Sequence, residues 1–113
     1  MNEKNTIVYL CGFNTRRDDL LESLIKILNE QIQQKVNTSI ILIQDGVIGT
    51  SKKSKIPLAL EKLIKLPLII YAMIPDMQAR GIDSTDLRNN IKAIDYEDLV
   101  DILVASPKIV SWV

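Results

Sequence analysis

The 113-residue sequence contains no histidine. That absence removes Ser-His-Asp and Cys-His nucleophile pairs, imidazole metal sites and the commonest acid/base group near neutral pH. Its one cysteine, Cys11, has no second thiol for an internal disulfide, a CxxC redox pair or a thiolate zinc site, and fits a reducing compartment. Net charge is missing too: 14 Lys and Arg balance 14 Asp and Glu, so nothing draws the chain as a whole toward nucleic acid or an acidic membrane. One Phe and one Trp leave no aromatic platform for stacked bases beside Lys52, Lys53, Lys55, Lys62 and Lys65, which read as a solvated basic face. The longest mostly apolar stretch, Pro67 to Pro75, falls far short of the ~18 residues of a membrane span. The polar opening Met1 to Thr6, with only Ile7 to Leu10 behind it, lacks a signal-peptide core. A cytoplasmic protein with no membrane contact, no direct nucleic-acid binding, no metal and no cofactor is expected.

What is present is an ordinary globular mixture, 47% apolar and 25% charged, enough for one domain over residues 1–113 with a core of its own. The neutral total hides an asymmetry. Residues 1–66 carry 10 basic and 7 acidic side chains and residues 67–113 carry 4 and 7, or +3 and −3, which suits docking to protein better than wrapping a polyanion.

Short apolar, β-branched runs alternate with helical periodicity. Thr6 to Cys11, Ser39 to Gln44, Leu68 to Met73, Ile91 to Ile94 and Ile109 to Val113 read as strands, the middle ones apolar without alternation, as in a sheet covered on both faces. Between them, Leu21, Leu24, Leu28 and Ile32 predict a long amphipathic helix to about Lys35, with Thr15 and Asp18 spaced as a capping box at its start. Pro57 opens a helix through Ile64, Gly49 to Lys55 reads as a mobile basic loop, and Asp76 to Gly81 make a turn or two of helix stopped by Gly81. Asp95 and Asp98 repeat the cap spacing before a helix ended by Ser106-Pro107. The order predicts an α/β fold: a three-layer parallel sheet of about five strands, helices on both faces, with flavodoxin-like topology.

In such sheets ligands gather beyond the carboxyl ends of the strands, so Cys11, Asp45-Gly46, Asp76 with Arg80, and Asp95-Tyr96 are expected to share one rim. Cys11 has two readings: an exposed sulfur carrier activated by Arg16 or Arg17 and a helix N-terminus, or a small buried hydrophobe closing a strand. Asp45 likewise reads as a turn residue or as a metal ligand or phosphoacceptor. Trp112 and Val110 give the terminal strand an apolar edge that a partner chain would cover.

The pattern Gln44-Asp45-Gly46-Val47, Tyr71-Ala72-Met73, Asp76-x-x-Ala79-Arg80-Gly81, Ile94-Asp95-Tyr96-x-Asp98-Leu99-Val100, then Pro107 and Trp112, resembles the DsrH/TusB family of DsrE-like sulfur-relay proteins. The resemblance implies a cytosolic subunit working with DsrE/TusD-like and DsrF/TusC-like homologues. Such assemblies pass persulfide sulfur toward tRNA wobble-uridine 2-thiolation or serve sulfur oxidation. It implies a companion role, since the principal sulfur-carrying cysteine belongs to the DsrE/TusD-type subunit. Some DsrH-type members carry a cysteine in the first helix; here that helix has none, so any carrier role for Cys11 rests on its own chemistry. Two other readings stand beside this one: a metal-dependent small-molecule enzyme such as a phosphatase using Asp45, Asp76 and Asp95, and a self-associating binding module with no relay role.

Overall fold

The computed structural model describes residues 6–112, so the readings made on residues 1–5 and 113 lie outside it. Strands and helices alternate as β1 (Thr6–Cys11), α1 (Asp18–Gln33), β2 (Asn37–Leu42), α2 (Leu58–Ile64), β3 (Ile69–Met73), α3 (Ile74–Ala79), β4 (Ile91–Ile94), α4 (Tyr96–Val104) and β5 (Lys108–Trp112). The five strands pair in parallel in the order β4-β3-β2-β1-β5. The α/β class with helices on both faces is as expected. The order departs from the 2-1-3-4-5 of flavodoxin-type sheets, because the chain reverses direction only at its last strand.

Handedness then decides how the helices are shared out. From β1 to β4 the strands are laid down in one direction, so right-handed crossovers put α1, α2 and α3 on one face. The return from β4 to β5 crosses the whole sheet and leaves α4 by itself on the other. The first face holds the larger core, in which Tyr9, Cys11, Ile40, Leu42 and Ile70 meet Leu21, Leu24 and Leu28 of α1 and Leu60 and Leu63 of α2. The second buries Val8, Ile41, Met73 and Ile94 beneath Leu99, Ile102 and Leu103. A single helix about 10 Å across cannot cover strands spaced at roughly 4.8 Å. Ile69 and Ile109, which flank it on that face, stay 45% exposed.

Two local expectations change. Thr15 does not cap α1; it is buried and its hydroxyl donates to the Ile48 carbonyl at 2.6 Å, while Arg17 takes the cap position without a side-chain cap bond. The hydroxyl thereby ties the loop after β1 to the loop after β2. The segment 49–55 is not free either. Arg88 donates from Nε to the Gly49 carbonyl at 3.0 Å and from Nη2 to the Ser54 carbonyl at 2.8 Å, and Ser51 bridges Leu87 in antiparallel fashion. Arg88→Ala is expected to cost about 2 kcal/mol and to open Lys52, Lys53 and Lys55 to trypsin while the sheet stays folded, checked by urea titration and limited proteolysis.

Candidate functional site

The carboxyl-end rim is built mainly by three turns. After β1 the chain passes through Gly12 to Phe13; after β2 it enters a 3-10 turn over Gln44–Val47; after β3 it runs straight into α3, with Pro75 in the first turn of that helix. The turn after β2 leans on β1. The Ile43 N–H donates to the Cys11 carbonyl at 3.0 Å, and Gly46 lies so close that a Cβ there would collide with the same oxygen. Gly46 is therefore required by proximity of two backbones.

Asp45 and Arg80 meet, beside the backbone carbonyl of Asp76. Arg80 donates from Nε and Nη2 to Asp45 Oδ1 at 3.1 and 3.0 Å, and from Nη1 to the Asp76 carbonyl at 3.1 Å, joining the turn to α3. Gly81, at φ 69°, then ends α3 in the left-handed region, its N–H donating to Gln78 and that of Ile82 to Met77. Asp95 is spent on α4: its carboxylate accepts from the Asp98 N–H at 2.8 Å and the Asp98 carboxylate accepts from the Asp95 N–H at 3.3 Å, a complete capping box. Tyr96 opens α4 and is exposed.

This arrangement offers little to a metal. Among the described residues no three acidic or thiol side chains converge, Asp45 faces an arginine, and Asp95 holds a helix end. The expectation of a magnesium-dependent rim finds no site here. Cys11 also departs from the carrier reading. Its side chain faces the larger core at 1% exposure, and burial pushes its thiol from an ordinary 9.0 up to about 12. Neither Arg16 nor Arg17 contributes to that shift. The exposed, activated thiolate is absent, and the buried-hydrophobe alternative describes what the fold holds.

The switch point of the sheet lies between β1 and β5, whose flanking crossovers go to opposite faces. There the Gly12 N–H donates to the Trp112 carbonyl at 2.9 Å and the Phe13 and Trp112 rings pack with centroids 6.5 Å apart. Side chains thus fill the place where an open sheet of this kind would take a ligand. Trp112, the interface candidate, is partly buried against Phe13, and Ile109 is the more exposed apolar side chain of β5. Sequence patterning did not single out Phe13 or Arg88 and gave Thr15 a different role, because their partners lie 99, up to 39 and 33 residues away.

Comparison with known proteins gives a consistent picture. The crystal structure of the ychN protein from E. coli superposes with a TM-score of 0.75 over 95% of this chain and 98% of that one, at 16% identity. A protein of unknown function from Methanobacterium thermoautotrophicum gives 0.69 over 94% and 96%, also at 16% identity; both likenesses concern the fold. Protein TusB of Escherichia coli K12 is 31% identical over 90 residues, 80% of this chain and 84% of that protein. Protein TusB of Pectobacterium parmentieri is 28% identical over 92 residues, 81% and 86% of the two chains. The family described as DsrH like protein matches residues 16–109, a span that takes in the turns after β2 and β3, Arg80 and the α4 cap, and the chain belongs to the DsrH/TusB family.

Proposed function

We propose that this chain is a companion subunit of a cytoplasmic sulfur-relay assembly, joined to DsrE/TusD-like and DsrF/TusC-like homologues, and that it carries no sulfur itself. Family membership supports the relay, and the burial of its one thiol is the observation that supports the companion role. Persulfide transfer needs a thiolate attacking a donor sulfur, and a thiol at about 12 in an apolar core supplies almost none at neutral pH. What the rim does offer is rigidity: Arg80, Asp45, Thr15 and Arg88 fasten the connecting loops to one another. A subunit that presents fixed surfaces to neighbours is suited to positioning a partner that carries the reactive cysteine. The sulfur would serve tRNA wobble-uridine 2-thiolation or sulfur oxidation. No helix among the described residues is long and apolar enough to cross a membrane.

The test is assembly. Mixed with a DsrE-type cysteine protein from the same source, the chain is expected to elute as a stable stoichiometric complex on size-exclusion chromatography. A chain that stays separate from that partner and from a DsrF-type homologue, in pairs and all together, contradicts the proposal.

A further inference from the structure

We propose that this chain also binds a second copy of itself head to tail, the apolar shoulder of α4 on one copy seating in a lysine-rimmed hollow at the amino-terminal ends of β3 and β4 on the next. The inference rests on two surfaces of this chain and does not depend on the relay reading.

The first surface is a row on α4. Leu99, Ile102 and Leu103 turn toward the sheet, yet Tyr96, Val100 and Val104 recur every fourth residue on an adjacent line and are 61%, 55% and 82% exposed. Three large apolar side chains in one helical row, about 12 Å long, exceed the scattered exposure that a soluble surface ordinarily tolerates. The ionic residues of α4 are all acidic, Glu97, Asp98 and Asp101. Asp98 is held in the capping box, whereas Glu97 and Asp101 have no cation within ion-pair distance among the described residues.

The second surface has the opposite character. A hollow of about 450 Å³ is lined in near-equal parts by apolar side chains, Ile64, Leu66, Leu68 and Ile69, and by polar ones, Asn89 and Asn90 together with Lys65 and Lys92. Neither lysine has a carboxylate partner among the described residues, and Ile69 is one of the side chains that α4 leaves uncovered. An apolar row bordered by carboxylates and a half-apolar hollow bordered by ammonium groups, none of them ion-paired among the described residues, match in charge and offer each other apolar contact. Because the two surfaces are different patches of one chain, the contact is heterologous, and each copy can give and receive it.

The experiment uses the purified chain in analytical ultracentrifugation over a concentration series. Concentration-dependent association is expected, weakened by added salt and weakened at least about tenfold by Val100→Asp; circular dichroism should be unchanged because Val100 is exposed. Glu97→Lys/Asp101→Lys and Lys65→Glu/Lys92→Glu are each expected to be monomeric alone and to associate when mixed, since every contact in the mixture pairs opposite charges. A wild type that stays monomeric through the high-micromolar range overturns the inference, and so does a mixture that fails to associate. Neither result bears on binding to a DsrE-type protein, which is read in the separate mixing experiment.

Discussion

Gly46→Ala is expected to destabilise the fold by about 3 kcal/mol or more, the largest loss from adding a single methyl group that the structure predicts. The added Cβ would strike the Cys11 carbonyl oxygen, which already accepts the Ile43 N–H at 3.0 Å. That carbonyl cannot simply retreat. Cys11 is the last residue of β1, which is paired on both sides, to Leu42 of β2 and Trp112 of β5. Relief would therefore have to shift a central strand or expel the turn that carries Asp45. Gly81→Ala is the natural control: it sits at φ 69° with nothing near its Cβ position, so only the backbone conformation is penalised, by about 1 kcal/mol. Urea titrations of the two variants should separate them clearly. Equal losses would mean that the close approach of the two loops is not what Gly46 secures.

Cys11 is expected to react with a soluble disulfide reagent at least about thirtyfold more slowly in the native protein at pH 7 than in the urea-unfolded chain. Raising the thiol from 9.0 to about 12 lowers the thiolate population, the greater nucleophilicity of such a thiolate returns part of that loss, and steric protection at 1% exposure adds to what remains. Burial favours the neutral thiol, so the folded state holds this proton more tightly than the unfolded state. The stability linked to it is fully present below pH 9 and is lost as the pH rises from there toward 12. A native thiol that reacts at the unfolded rate would put the side chain outside the core and reopen the carrier reading.

How much of this was legible in the sequence follows the range of each interaction. The strands could be read because their apolar runs are local, and the α4 cap because Asp95 and Asp98 lie three residues apart. Gly81 as a helix stop followed from its place just after a short helix, and the sharing of one rim by Asp45 and Arg80 from their positions after the carboxyl ends of strands. The strand order did not follow, since nothing local tells the last strand to return across the sheet to β1. Thr15 illustrates the limit most plainly. Its spacing to Asp18 imitates a cap, but a carbonyl 33 residues away captures the hydroxyl first. The basic segment 49–55 looked mobile because its anchor, Arg88, is distant in sequence. For Cys11, the residue type allowed both roles, and only the face on which β1 presents it decides between them.

The central claim, a relay subunit that is not itself a carrier, is tested most directly by intact-mass measurement after incubation with a persulfide donor, alone and together with a DsrE-type cysteine protein. With one cysteine in the chain, any added sulfur atom reports on Cys11 without a mutant. The account predicts that the partner gains sulfur while this chain keeps its unmodified mass in both mixtures. A stable gain of one sulfur atom on this chain, removed by reductant and formed at a rate matching the partner's, would contradict it.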